Sequence, residues 1–169
     1  ADPAQRGELT SRLMFLPNAS WQDIMAAASQ DVNSLRQLDT IRKIAHLIKT
    51  NTHACQRVGH HFIGQIETIY LEMLNVYRVY SEDISQAVQQ QGPRYLRTVD
   101  AKAKRTVKAS ILLLLQAFIG TTTRPQGVVE DLLPPLLIPV LEDYRNGIPE
   151  ARDPEVLGLV TALVTKCND

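Results

Sequence analysis

The segment from Leu132 to Lys166 restricts the possible folds of this chain more than any other. It contains an apolar stretch, a polar turn with glycine and proline, and a second apolar stretch that follows Asp153-Pro154. Aspartate is a preferred N-cap residue. Proline, which lacks an N–H group, is tolerated at the first helical position because an N–H there would have no hydrogen-bond partner within the helix. We therefore predict a pair of helices. Such a pair cannot bury both of its faces alone, which implies stacked neighbours and a helical solenoid.

The rest of the chain also has a helical pattern. Apolar residues recur at spacings of three and four, and strand patterns are nearly absent. We predict seven helical segments, at 4–16, 17–30, 38–57, 61–90, 98–120, 126–146 and 153–167. Pro17 should begin the second segment, and prolines 134, 135 and 139 predict a bend or break in the sixth. The predicted fold class is all-α, a HEAT-repeat solenoid of about seven helices stacked as antiparallel pairs. Residues 1–169 should form one run of repeats, in which the connection at 91–97 is the least certain.

Segment 61–90 has the most regular apolar pattern. At 1.5 Å per residue it would be about 45 Å long, so we expect it to be the longest element. One face should point inward: Phe62, Ile66, Ile69, Met73, Tyr77 and Tyr80. The opposite face should meet solvent or a partner: Glu67, Asn75, Arg78, Glu82 and Gln89. The two outermost segments, 4–16 and 153–167, each have a face on which a neighbouring repeat would pack. On these faces they should expose Leu13, Phe15, Leu159 or Leu163.

The charges of the chain balance globally but not locally. Lysine plus arginine and aspartate plus glutamate number 18 each, which gives no global basis for nucleic-acid binding. Residues 94–108 carry six basic side chains and one acidic, whereas residues 130–155 carry seven acidic and two basic. Opposed local charges suit protein partners. Lys102, Arg105 and Lys108 are the candidate basic patch for an acidic partner, and the alternative is a solvated helix face.

No pattern of residues predicts catalysis or metal binding. His46 and His53 are seven residues apart, and Cys55 points to another face, so surface histidines and a small buried thiol are the favoured interpretation. Neither a nucleophile motif nor a phosphate-binding loop is present, so we expect no enzyme and no cofactor. Cys55 and Cys167 lie far apart, which favours a reduced intracellular chain. The sequence contains no signal peptide and no run of 18 apolar residues, so we expect neither secretion nor membrane insertion.

Several longer motifs resemble one family of proteins. They include Leu16-Pro17-Asn18 before Trp21, Ile48-Lys49-Thr50-Asn51, Ile69-Tyr70-Leu71-Glu72-Met73-Leu74-Asn75-Val76-Tyr77, Arg105-Thr106-Val107-Lys108, Pro134-Pro135-Leu136-Leu137 and Pro149-Glu150-Ala151-Arg152-Asp153-Pro154. Together they resemble a late-middle portion of the nuclear export receptors of the karyopherin-β family. The resemblance extends over nearly the whole chain, from about Leu9 onward.

The resemblance implies a ring-like HEAT solenoid that carries leucine-rich export signals with Ran-GTP through the nuclear pore, past nucleoporins, and shuttles between nucleus and cytoplasm. It implies that 38–57 and 98–120 are outer helices and that 61–90 and 126–146 are inner helices. Because the family encloses Ran-GTP on its concave surface, the candidate Ran-facing residues are Glu67, Asn75, Arg78, Glu82, Asp131, Glu142 and Arg145. The resemblance also implies that the groove for export-signal cargo lies in preceding repeats, outside this chain, and that Cys55 is not the reactive cysteine of that groove.

Two other classes of protein are alternatives to this interpretation. The main alternative is a HEAT-repeat scaffold or adaptor of a multiprotein complex unrelated to transport, and an enzyme is a distant third. A generic scaffold would show more regular repeats of about 40 residues than these uneven segments. The export receptor is therefore the favoured prediction.

Overall fold

The fold was determined as a computed structural model that describes residues 2–121 and 134–167. Within these ranges the chain forms helices and no strand, so the predicted all-α class is confirmed. The α-helices are α1 (Pro3–Gln30), α2 (Leu38–Val58), α3 (Ile63–Gln91), α4 (Val99–Thr121), α5 (Pro134–Asn146) and α6 (Glu155–Cys167). Short 3₁₀ helices precede four of them, at Val32–Arg36, Gly59–Phe62, Pro93–Arg97 and Pro149–Ala151. The stacking of these helices as HEAT repeats, in a single run over 1–169, stays a prediction.

Helix α1 corrects the prediction of separate helices at 4–16 and 17–30. Its N-terminus follows the expected chemistry, because the Asp2 carboxylate accepts a hydrogen bond from the N–H of Ala4 and proline occupies the first helical position. The helix then continues through Pro17 to Gln30. Proline removes the backbone donor for the carbonyl of Leu13, and Leu13 itself is exposed to solvent. Helix α5 likewise continues through Pro139 without a break, and a bend at that position stays a prediction.

Two glycines end the central helices. Gly59 ends α2 with φ of 63°, and Gly92 ends α3 with φ of 79°. Each donates its N–H to a carbonyl four residues earlier, that of Cys55 and that of Val88. Left-handed φ values favour glycine because it has no Cβ. Gly59 is therefore the C-cap of α2, and the connection at 91–97, which the sequence left uncertain, is formed by Gly92 and a 3₁₀ helix.

The register predicted for segment 61–90 is confirmed. Helix α3 has 29 residues and is the longest of the described helices, with α1 at 28 residues close behind. All six predicted inward residues are buried: Phe62, Ile66, Ile69, Met73, Tyr77 and Tyr80. Tyr70, Leu74 and Val76 are buried as well, because α3 contacts neighbours on more than one side. The apolar stripe therefore fixes the rotation of α3.

Helix α4 lies in the middle of the described fold. It packs against α2, α3 and α6, while α1 packs against α2 and α3, and α5 contacts α3 and α6. Thr98 caps α4, since its hydroxyl accepts a hydrogen bond from the N–H of Ala101. Within the apolar stretch 111–115, only Leu113 is exposed. Most buried apolar side chains of α2, α3, α4 and α6 form one core together with Met14, Trp21 and Val140. A second, smaller cluster consists of Ile84, Tyr95 and Ala101.

Only some of the apolar side chains that the sequence predicts to be exposed on the outermost helices are exposed. Leu13 and Phe15 of α1 are 41% and 71% exposed, as expected. Leu159 and Leu163 are buried, so the prediction of their exposure is wrong. They are buried because α6 packs against α4.

Candidate partner-binding surface

The candidate Ran-facing residues lie on the surface wherever the structure describes them. Exposed side chains are found at Glu67, Asn75, Arg78 and Glu82 of α3 and at Glu142 and Arg145 of α5. Asp131 lies outside the described residues. Exposure makes contact with a partner feasible for these six, and the contact itself stays a prediction.

A cavity between α3 and α5 brings three of these residues together. Its volume is about 440 Å³, and its lining includes Arg78 and Glu82 from α3 and Glu142 from α5. Glu67, Asn75 and Arg145 do not line it. The fold thus places residues that are about 60 positions apart in the sequence on one concave site.

A charge network centred on the buried Lys108 and Asp153 lies beside this cavity. Lys108 of α4 is buried, and its Nζ lies 2.9 Å from Asp143 Oδ2 of α5 and 2.9 Å from Asp153 Oδ2 before α6. Arg105 Nε lies 3.3 Å from Asp153 Oδ1, and the Lys108 ammonium is 5.0 Å from the centroid of the Tyr77 ring. The network joins α3, α4, α5 and the start of α6. The basic and acidic segments that looked like separate partner surfaces therefore bind each other.

This network corrects two predictions from the sequence. Lys108 is buried and bound to two carboxylates, so it cannot be a surface charge of the predicted basic patch, and Arg105 is half-buried against Asp153. Lys102 is exposed. Asp153 was predicted to be an N-cap, but both of its carboxylate oxygens lie against basic side chains of α4.

A second charge network, which the sequence did not predict, is centred on Asp83 of α3. Asp83 Oδ2 lies 2.9 Å from Arg36 Nε and 3.3 Å from Lys104 Nζ, and Lys104 also contacts Asp100 at 2.9 Å. Burial tends to raise the pKa of Asp100, but hydrogen bonds from Tyr95 and Lys104 outweigh it, so the pKa of Asp100 is lowered. This network ties α3 to α4 and to the 3₁₀ helix before α2.

One sequence signal could have revealed these buried lysines. Lys104 and Lys108 share a helix face with Ile111 and Leu115, at successive spacings of four, three and four. Both side chains are therefore directed toward the core side of α4, where acidic groups from three other elements meet them. Lysines on an apolar helix face predict buried ion pairs better than a surface patch.

Polar side chains also connect the first three helices. Gln65 Nε2 donates to Asn18 Oδ1 at 2.7 Å and lies 2.9 Å from Asn51 Oδ1, while Asn18 donates back to Gln65 Oε1 at 2.9 Å. Trp21 Nε1 donates to Glu72 at 3.3 Å, and the Tyr80 hydroxyl donates to the carbonyl of Leu35 at 2.6 Å. Because buried polar groups need partners, these bonds fix how α1, α2 and α3 are placed relative to one another.

The histidines and the thiol have the locations that the sequence favours. His46 and His53 are exposed, and Cys55 is a buried free thiol. Burial raises the pKa of Cys55 to about 11, against a smaller opposing effect of a hydrogen bond to Thr121. Among residues 2–121 and 134–167, no three His, Cys, Asp or Glu side chains are placed to hold a metal ion. None of the described helices is both long and apolar enough to cross a bilayer.

Within residues 2–121 and 134–167 the protein is all-helical, and its polar surface is the candidate functional site. The model of the family described as CRM1 C terminal matches residues 65–169. The chain belongs to this family, and the resemblance predicted from its motifs is confirmed.

Individual relatives agree with the family match. Exportin-1 of Dictyostelium discoideum is 46% identical over 165 residues, and Protein EXPORTIN 1B of Arabidopsis thaliana is 39% identical over 166 residues. Exportin-1 of Drosophila melanogaster is 36% identical over 166 residues. Each alignment covers 98% of this chain but only 15% or 16% of the relative. The chain therefore spans about one seventh of the length of the exportins that it matches.

Proposed function

We propose that this chain is a structural part of a nuclear export receptor that binds leucine-rich export signals together with Ran-GTP. The observation that carries this proposal is the family match over residues 65–169, with exportin relatives that align along 98% of the chain. The receptor moves between nucleus and cytoplasm and contacts nucleoporins during passage. Its function is binding and transport rather than catalysis.

The packing of the helices supports a specific arrangement within such a receptor. Helix α2 packs against α4, α4 packs against α6, and α3 contacts α5. This order is expected of stacked HEAT repeats with α2, α4 and α6 in an outer layer and α3 and α5 in an inner layer. The two charge networks hold the layers together.

In this arrangement, the polar faces of α3 and α5 meet Ran-GTP. Support comes from the exposure of Arg78, Glu82 and Glu142 around one cavity. Glu67, Asn75 and Arg145 would extend the same surface, since they are exposed on the same two helices. Export-signal cargo binds to a groove outside this chain, and this chain contributes the scaffold beside it.

A chimera tests the proposed function. This chain would replace the aligned segment of the Dictyostelium discoideum exportin-1, and binding of a fluorescent leucine-rich peptide would be measured with and without Ran-GTP. The chimera should bind the peptide more tightly when Ran-GTP is present. Loss of this cooperativity in a chimera that is folded by circular dichroism would contradict the proposal.

The isolated chain is the control for the chimera. It should bind neither the peptide nor Ran-GTP at micromolar concentrations. Without the groove, the apolar anchors of the peptide stay in water and the cost of ordering it is not recovered. The contacts with Ran-GTP are spread over many repeats that act together, so the few repeats in this chain should bind Ran-GTP only weakly. Saturable micromolar binding of the peptide would show that the groove lies inside this chain.

A further inference from the structure

Two buried hydroxyl groups without partners line the cavity between α3 and α5. Tyr77 and Ser81 are 2% and 8% exposed, and within the described residues neither hydroxyl has a hydrogen-bond partner. Both side chains line the cavity. A buried polar group that lacks a partner destabilises the fold, so native proteins generally supply one. A bound group that enters this cavity would supply it.

The charges at the cavity favour a cation. Its walls carry the carboxylates of Glu82, Glu142 and Asp143, against the cations of Arg78 and Lys108. Lys108 is already held by Asp143 and by Asp153, and Asp153 is in turn neutralised by Arg105. That buried group of four is electrically neutral. The remaining wall is Arg78 with two glutamates, which leaves one negative charge in excess.

Apolar groups complete the lining. Ile84, Val88, Pro139 and Ile148 face the same space. Lysine and arginine bury their methylene chains on apolar surface while the charged end reaches polar groups. A volume of about 440 Å³ accommodates such a side chain together with part of its backbone.

We propose that this cavity binds a lysine or arginine side chain presented by an extended segment of a partner protein. The cationic end contacts Glu82, Glu142 and the Tyr77 and Ser81 hydroxyls, and the methylene chain packs on Ile84 and its apolar neighbours. The inference goes beyond the proposed function and does not require that the partner is Ran-GTP.

Disulfide capture at the cavity tests this inference on the chain itself. Ser85, which is exposed and lines the cavity, would be changed to cysteine in a Cys167→Ser background, and the buried Cys55 would be kept. Three disulfide compounds of equal length, ending in a guanidinium, a urea or a carboxylate, would compete for the thiol under reducing conditions. Mass spectrometry of the intact protein should show about tenfold more guanidinium than urea adduct, because charged hydrogen bonds are stronger.

Matched variants make the result specific. Ser29→Cys, on the exposed end of α1, should show no preference among the compounds, and Glu142→Gln combined with Ser85→Cys should reduce the guanidinium preference. Circular dichroism checks the folding of each variant, and Gln89→Cys replaces Ser85→Cys if that variant does not fold. Equal capture of the three compounds, as for a water-filled cavity, would overturn the inference. Preferred capture of the carboxylate, which would indicate an anion site at Arg78, would overturn it too.

Discussion

Replacing Lys108 by methionine should lower the free energy of unfolding by about 3 kcal/mol. The Lys108 side chain is 3% exposed and lies 2.9 Å from each of two carboxylates, Asp143 and Asp153. Methionine retains most of the apolar stem, so the change removes mainly the charge. Breaking a buried ion pair from one side costs about 3–5 kcal/mol because the remaining charge stays buried. Arg105 still contacts Asp153, and Asp143 is 26% exposed and can turn to water, so we expect the lower end of that range.

Urea denaturation followed by circular dichroism measures this loss. For a chain of this size it corresponds to a fall in Tm of about 6–12 °C. Lys102→Met is the matched control, because Lys102 is exposed on the same helix and should leave stability unchanged. The double variant Lys108→Met/Asp153→Asn should lose less than the sum of the two single variants. A loss below about 1 kcal/mol for Lys108→Met, as for a surface ion pair, would refute the buried network.

Three further predictions concern the helix ends, the thiol and the acid limit of stability. Gly92→Ala should destabilise the chain by about 1–3 kcal/mol in urea denaturation, because φ of 79° with ψ of −179° strains any other residue, whereas Gly64→Ala inside α3 should not destabilise it. Alkylation of Cys55 at pH 8 should be at least about a hundredfold slower in the folded chain than in urea, since burial raises its pKa from 9.0 to about 11; equal rates would place the thiol at the surface. The pKa of Asp100 is lowered in the fold, so its contribution to stability is present above its ordinary pKa of 3.8 and is lost as the pH falls through the folded value. The stability difference between the wild type and Asp100→Asn should therefore be constant near neutral pH and shrink below pH 3.8, and a difference that grows on acidification would contradict the sign.

The helices and their buried faces could be predicted from the sequence because both depend on local patterns. The rotation of α3 follows from apolar residues such as Met73 and Tyr80, and the end of α2 follows from Gly59. The continuation of α1 through Pro17 could not be predicted from the local pattern, in which proline costs the helix a backbone hydrogen bond. Met14 and Trp21 on either side of Pro17 are buried, and tertiary packing of this kind overrides local helix preferences.

The charged residues were harder to predict because their roles depend on partners that are distant in the sequence. Lys108 and Asp153 are 45 positions apart, and nothing local indicates that they meet. The candidate residues Arg78 and Glu142 were assigned by resemblance, and their place on one cavity required the packing of α3 against α5. The net charge of a sequence segment is therefore a poor predictor of a partner-binding surface until the ion pairs within the fold are known.

Charge reversal in the chimera tests most directly the claim that α3 and α5 face Ran-GTP. Arg78→Glu on α3 and Lys49→Glu on α2 change the charge equally, and both residues are exposed. The Kd for Ran-GTP would be measured at a saturating concentration of export peptide. The proposed arrangement predicts that Arg78→Glu changes the Kd by about tenfold and that Lys49→Glu leaves it unchanged. Equal Kd values for both variants and the unmodified chimera would contradict it.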